Sequence, residues 1–296
     1  MPILGAHQSI AGGFEKAVER ARAANCDCLQ VFTKNCTRWK APPLTEEQAI
    51  AFQQALLRTS IKHPVGHAAY LINLASPDPD LWRKSLESLN EEYVRAWRLG
   101  LEALIIHPGA SIMGDSAPAL QRIASALSTV FRNNPDVKTW ILLETTAGQG
   151  THLGRSFDEL ATIFELTEDT QRLGVCWDTC HMLAADLPID SPEGWDRTVR
   201  WFDRQIGLDR LKAIHLNDSK NPRGSGVDRH AHIGQGHVGL DTFRRILHDP
   251  RVNHLPMYLE TPKGKDERGR DWDVVNLTLL RELAVRQSRG RIAEIP

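Results

Sequence analysis

Ala103-Leu104-Ile105-Ile106-His107 sets the pattern from which the rest of the chain is read: an apolar run, short enough for one strand, that stops on an imidazole. The same form recurs in Trp140-Ile141-Leu142-Leu143 before Glu144, Val175-Cys176-Trp177 before Asp178, Leu211-Lys212-Ala213-Ile214 before His215, and Met257-Tyr258-Leu259 before Glu260. Each reads as a short buried strand with one polar residue at its carboxyl end. Successive runs begin about 35 to 45 residues apart, room for a loop and a helix before the next parallel strand, as a right-handed crossover requires. Towards the N-terminus the pattern adds residues 3–4 before Gly5-Ala6-His7, 28–32 before Thr33-Lys34-Asn35, and a weaker strand at 63–66 before His67.

Eight such strands in 296 residues predict an α/β fold, a single (β/α)8 TIM barrel over residues 1–286 with a loosely held tail over 287–296. In that fold all strands point their carboxyl ends at one face, so residues distant in sequence meet there. Apolar positions at helical spacing predict helices over 14–24, 45–57, 79–99, 117–131, 156–166, 192–206 and 240–247. Thr45 with Glu47 and Gln48, and Ser191-Pro192-Glu193, read as capped starts.

A hydrophobic fraction of 41% and a charged fraction of 25% describe an ordinary soluble protein, with no apolar run near the roughly 20 residues of a membrane span. The opening Met-Pro-Ile-Leu-Gly-Ala-His lacks the regions of a signal peptide, so a cytoplasmic location is expected. The net charge of −1 excludes a globally basic nucleic-acid binder. Loops assigned to the ligand-bearing face are nonetheless cationic: Lys34, Arg38 and Lys40, then Lys220, Arg223 and Arg229, then Lys263, Lys265, Arg268 and Arg270. Much of the acidic charge falls in helices, at Glu87, Glu91 and Glu92 or Asp158, Glu159, Glu165 and Glu168, so a phosphate-rich ligand is expected at the basic rim. Cys26, Cys28, Cys36, Cys176 and Cys180 match neither a zinc ribbon nor a disulfide framework and read as reduced thiols, Cys180 lying in a turn.

His67, His107, Glu144, Asp178, His181, His215, Asp228, His230 and Glu260 together form the candidate site. One histidine at a strand end is ordinarily structural, but several carboxylates gathered on one face repel one another unless cations compensate. Mixed imidazole and carboxylate donors suit Zn²⁺, with Mn²⁺ or Fe²⁺ as alternative occupants. Asp228, His230 and His181 can complete one site, and the other six, bridged by Glu144, can hold two more ions. Paired ions roughly 3.5–4 Å apart suit displacement at phosphorus, which points to phosphodiester hydrolysis.

The strings GAHQSIAGG (5–13), FTKN (32–35), YLINLA (70–75), HPG (107–109), ETTAGQG (144–150), DTCH (178–181), HLNDSK (215–220), DRH (228–230) and LETPK (259–263) resemble the endonuclease IV family of apurinic/apyrimidinic endonucleases. The resemblance is collinear over nearly the whole chain. It implies a barrel that cleaves duplex DNA 5′ to abasic sites, leaves a 3′-hydroxyl and clears blocked 3′ ends, working as a monomer in the bacterial cytosol on the nucleoid. It further implies His67, His107 and Glu144 at a first zinc, Glu144, Asp178, His215 and Glu260 at a second, and His181, Asp228 and His230 at a third. Glu144 and Glu260 become the catalytic carboxylates, Glu260 orienting or deprotonating the attacking water. Tyr70 and Leu71, otherwise readable as core, become a wedge entering the duplex, with Lys34, Arg38 and Arg229 as further DNA contacts.

Two positions depart from the family pattern. Thr37 stands where an inserted arginine usually precedes the tryptophan by two residues, Arg38 being adjacent to Trp39, and Thr145 stands where asparagine usually follows the bridging glutamate. The rival readings are a two-metal sugar isomerase, which needs neither the DRH site nor a basic rim, and a damage-sensing DNA-binding protein without catalysis.

Overall fold

A computed structural model of the chain describes residues 1–111 and 116–285; the tail expected over 287–296, and residue 286 at the end of the expected domain, lie outside the described residues. The strands β1 (Ile3–Gln8), β2 (Cys28–Phe32), β3 (Lys62–His67), β4 (Ala103–Ile106), β5 (Trp140–Glu144), β6 (Leu173–Asp178), β7 (Leu211–His215) and β10 (Pro256–Leu259) close a parallel barrel in which β10 pairs β1. Between β7 and β10 a two-stranded antiparallel sheet, β8 (Asp218–Ser219) with β9 (His230–Ala231), lies outside the barrel order. The expected TIM barrel is the fold.

The helices are α1 (Phe14–Ala23), α2 (Glu46–Thr59), α3 (Pro79–Leu99), α4 (Ser116–Asn133), α5 (Phe157–Leu166), α6 (Thr179–Ala184), α7 (Pro192–Gln205), α8 (Leu240–His248) and α9 (Trp272–Val285). Their ends follow local chemistry. Asp78 caps α3 by accepting from Asp80 and Leu81 N, Pro79 opens it, and Gly100 closes it at φ 76°, a left-handed conformation that costs glycine little. Thr45 and Gln48 form the capping box anticipated at α2. Two helices were not anticipated. α6 is too short for a period to show, and it places Cys180 in a helix rather than a turn because the Asp178 carboxylate accepts from His181 N and starts a helix at once. α9 buries Leu277, Leu280 and Leu283 at helical spacing, behind the charged loop 263–271 that hides its start.

The barrel interior positions the site. Cys28, Val65, Ala103, Ile105, Leu142, Cys176, Ala213 and Tyr258 form a separate packed cluster, one or two from each of seven strands. Side chains alternate faces along a strand, so the inward row continues two residues on, to Gln30, His67, His107, Glu144, Asp178, His215 and Glu260. On β1 the same parity brings His7 inward from Ile3. The polar ring at the barrel mouth is thus the next layer of the core's own alternation.

Candidate metal centre

Glu144 lies at the middle of that ring and is fully buried. Its Oε2 stands 3.0 Å from His67 Nε2 and 3.1 Å from His107 Nε2, while its Oε1 stands 3.0 Å from His215 Nδ1 and 3.3 Å from His181 Nδ1. One carboxylate therefore turns a different oxygen to each of two imidazole groups. His215 Nδ1 also lies 3.3 Å from Glu260 Oε2 and 3.8 Å from Asp178 Oδ2. Two donor sets able to hold an ion result, His67 with His107 and Glu144, and Glu144 with Asp178, His215 and Glu260.

The remaining residues come from the β8–β9 segment and α6. His181 Nε2 and His230 Nε2 lie 3.1 Å and 3.4 Å from Asp228 Oδ1, and His230 Nε2 lies 3.6 Å from Asp178 Oδ2. Asp218, wholly buried, pins this segment by accepting from Ser219, Gly234, Gly236 and Val238 N. Gln149 of the ETTAGQG string accepts from Asp228 N at 3.0 Å. Cys180 also falls within ligand range of Asp228 and His230, a neighbour absent from the expected set, and burial pushes its thiol up to about 12.

The orientation of the imidazoles fits divalent cations. His67 Nδ1 donates to Ala68 O at 2.8 Å, His181 Nδ1 to Thr145 O at 2.8 Å, and His230 Nδ1 to Glu260 O at 3.1 Å. A carbonyl only accepts, so the outer nitrogen of each ring holds the proton and the inner nitrogen presents a lone pair to the carboxylates. Two lone pairs facing each other repel unless a proton or cation lies between them. His181 Nε2 and His230 Nε2 are buried without a hydrogen bond, His181 despite its 3.1 Å approach to Asp228. The separations of 3.0–3.4 Å from His67, His107 and His230 Nε2 to the carboxylate oxygens also match the edge, about 3.3 Å, of a tetrahedron with bonds of roughly 2.0–2.1 Å.

Without cations the same contacts become proton-sharing pairs. Burial lowers His181 and His215, yet the surrounding acids, Asp178, Asp228 and Glu144 for the first and Cys176, Glu260 and Glu144 for the second, hold both well above the usual histidine value. Burial conversely raises Asp228, but His181 and His230 outweigh it and bring its carboxyl to about 2. Glu144 and Glu260 are held well below the usual carboxylate range, burial opposing and His215 being the largest lowering influence on each.

Two ring members were not singled out from the sequence. Gln30 donates Nε2 to Glu260 Oε1 and accepts from His215 Nε2 at 2.8 Å, so it orients two candidate ligands. His7 Nδ1 shares Gln30 Nε2 at 2.9 Å, and its buried Nε2 makes no hydrogen bond. Strand parity was the signal that could have found both. Thr145 serves structure: its Oγ1 accepts from Asp178 N at 2.8 Å while its carbonyl holds His181.

The expected DNA contacts divide. Lys34 is a correction: its side chain is fully buried, donating to Trp39 O at 2.7 Å and Ser88 Oγ at 2.8 Å beside Glu92, and cannot meet a phosphate. Arg223, Lys263 and Arg270 are paired to Asp186 and Asp190, Asp273, and Asp266, so they are not free cations of the rim. Glu92, one of the acids expected in helices, is buried too. Arg38, Lys40, Lys220 and Arg229 are exposed without an ion pair among the described residues. Tyr70 is 63% exposed beside Leu71, half-buried, and lines with His67, Asn73, His107, His152 and Asp228 a cavity of about 320 Å³. Thr37 turns to Asn35 Oδ1, and Arg38 beside it is exposed.

This barrel with polar strand ends is of a broad class: the family model described as a xylose isomerase-like TIM barrel matches residues 18–282. Narrower relatives lie within it. A probable endonuclease 4 of Trichlorobacter lovleyi is 46% identical over 280 residues, covering 95% of this chain and 99% of that protein. A probable endonuclease 4 of Chloroflexus aggregans is 47% identical over 96% of this chain and 98% of its own length. The crystal structure of endonuclease IV from Thermus thermophilus superposes with a TM-score of 0.83 at 33% identity, covering 95% of this chain and 98% of that one. The chain belongs to the endonuclease IV family.

Proposed function

We propose that this protein is a DNA-repair endonuclease that hydrolyses the phosphodiester 5′ to abasic sites in duplex DNA and clears phosphate and other blocking groups from 3′ ends. The observation that carries the reading is the central carboxylate, with one oxygen turned to His67 and His107 and the other to His215. We assign three zinc ions, with Mn²⁺ or Fe²⁺ as substitutes: one to His67, His107 and Glu144, one to Glu144, Asp178, His215 and Glu260, and one to His181, Asp228 and His230, a reading supported by the approach of both imidazoles to Asp228 Oδ1 although His181 and His230 also group with Asp178. Divalent ions so held supply Lewis acidity to the oxygens around phosphorus and make water acidic enough to attack at neutral pH.

The chain's own groups then have separate tasks. Glu260, ionised at neutral pH and steadied by Gln30, can orient the attacking water and take its proton. Tyr70 and Leu71 wedge into the gap left by the missing base, where unstacking costs least, and the abasic sugar turns into the cavity between His107, His152 and Asp228. Arg38 takes over the inserted role that Thr37 cannot fill, and Arg229 is a further contact to the duplex. The barrel over residues 1–286 is the catalytic unit of a monomer in the bacterial cytosol. No helix among the described residues is long and apolar enough to cross a membrane.

The direct test is cleavage of a duplex carrying one stable abasic analogue, with metal content read by elemental analysis. Incision on the 5′ side with three zinc ions per chain supports the reading, whereas turnover of a free sugar by a protein holding fewer ions would favour an isomerase. Each neutralised phosphate releases counterion, so affinity for the duplex should fall log-linearly with salt, and a flat response would point back to a small substrate. Arg38→Ala and Tyr70→Ala should each weaken binding to an abasic duplex about tenfold, a loss of roughly 1.4 kcal/mol. Removal of a 3′-phosphate at a nick, which demands less distortion, should suffer less. Equal losses on both substrates in zinc-replete protein would make Arg38 an ordinary phosphate contact.

A further inference from the structure

One face of α3 is polar where a barrel helix ordinarily buries apolar side chains. Ser85, Ser88, Glu92 and Arg95 recur at helical spacing and all four are buried. Each holds a loop at the barrel mouth. Ser85 Oγ accepts from Asn73 N at 3.0 Å and Ser88 Oγ from Lys34 Nζ at 2.8 Å. Arg95 donates from Nε and Nη2 to Thr33 O at 3.0 and 2.9 Å, and from Nη1 to Pro42 O at 2.8 Å.

Glu92 joins the two loops. Its Oε2 accepts from Thr33 Oγ1 at 2.8 Å, its Oε1 accepts from Ala69 N at 3.2 Å, and Lys34 Nζ lies 3.5 Å from Oε1. One carboxylate thus touches the segment after β2, which carries the outward Arg38, and the segment after β3, which carries the outward Tyr70. Phe32 at the end of β2 also meets the Tyr70 ring edge-on at a centroid distance of 5.5 Å.

Folding alone does not ask for this arrangement. A fully buried Lys–Glu pair loses its hydration, and apolar residues of similar size commonly do as well or better for stability. What the ions supply is direction, since Glu92 fixes the Thr33 hydroxyl and Ala69 N while Lys34 fixes Trp39 O and Ser88 Oγ.

We propose that the buried polar stripe of α3, centred on the Glu92–Lys34 pair, is a positioning device that fixes the spacing between the Arg38 loop and the Tyr70 loop and thereby sets affinity for distorted duplex DNA. The inference rests on the DNA-facing role given to those loops above. Neither Glu92 nor Lys34 touches substrate; both act through the segments they hold.

The test uses full-length, zinc-loaded protein and separates positioning from stability. Lys34→Met and Glu92→Leu alone each strand a buried charge and should lower Tm. Lys34→Met/Glu92→Leu together remove both charges and should recover most of that Tm. In the double variant KM for an abasic duplex should stay at least tenfold above wild type, with kcat at saturation within threefold, because the metal donors are untouched. A double variant with restored Tm and KM within twofold of wild type, measured where Tyr70→Ala does raise KM, overturns the inference. Should Tyr70→Ala leave KM unchanged as well, the DNA-facing reading falls and the inference with it. If the double variant does not fold, Glu92→Gln, which keeps the size and an acceptor for Ala69 N, is read the same way: a KM at least threefold higher supports positioning, and an unchanged one overturns it.

Discussion

Glu144→Gln is expected to lower kcat for abasic-site cleavage by a thousandfold or more while leaving the barrel folded. The glutamate turns Oε2 towards His67 and His107, at 3.0 and 3.1 Å, and Oε1 towards His215, at 3.0 Å. An amide of the same shape keeps one acceptor oxygen and puts an NH2 where the second should face a cation, so two sites are disturbed at once. Losing about 4 kcal/mol of charge stabilisation at phosphorus corresponds to roughly a thousandfold in rate. KM should change far less, because the loops carrying Arg38 and Tyr70 do not touch Glu144. The check is steady-state cleavage with zinc content and Tm measured on the same preparation. A variant that keeps its zinc and works within tenfold of wild type would refute the bridging role. Glu260→Gln gives a useful contrast: its Oε1 already accepts from Gln30, so the expected loss falls on kcat through the attacking water rather than on two sites together.

Why the strand ends were readable and their surroundings were not has a physical explanation. A parallel barrel strand is buried on both faces, so it appears as an unbroken apolar run, and the polar residue that ends it marks both the strand's limit and the site. Ala103–Ile106 was legible to the residue for that reason, and Cys28–Phe32 was too although Gln30 interrupts its apolar run. β1 and β6 extend beyond their apolar runs because His7, Gln8 and Asp178 keep strand geometry while facing polar partners. Gln30 and His7 share the inward parity of the ligands, yet an amide draws no notice when metal donors are sought. Lys34 was misread for a different reason. A lysine in a loop looks solvated in sequence, and the carboxylate and hydroxyl that bury it, Glu92 and Ser88, lie more than 50 residues on, on a helix whose polar stripe is visible only when the loops are laid against it. The segment from Asp218 to Val238 has no period to read, since it is organised by one buried aspartate taking backbone hydrogen bonds.

Stripping the metals should abolish cleavage and also make stability depend on pH in a direction that distinguishes this cluster from an ordinary ion-paired core. In the metal-free protein the balance of charge falls to His181 and His215, whose pKa values lie well above the usual 6.5 because nearby acids outweigh the lowering effect of burial. A histidine raised on folding contributes its full stabilisation below its unfolded pKa and loses it as pH climbs through the folded value. Raising pH from about 6.5 to 9 should therefore remove protons from between the buried imidazoles and carboxylates, each lost at up to roughly 1.4 kcal/mol per pH unit. Zinc held at the same positions would not be displaced as pH rises over that range, so the loaded protein should hold its Tm. Glu144, Glu260 and Asp228, all depressed on folding, work in the opposite direction and weaken the fold only as pH drops through the acid range. The measurement is Tm of loaded and chelator-stripped protein at half-unit steps of pH, with zinc added back at each point. The gap between the two curves should widen steadily above pH 6.5 and close on reconstitution, with cleavage returning in parallel. A gap that narrows on the alkaline side would mean that the imidazoles are neutral in the stripped protein and that something other than their protons holds the carboxylates together.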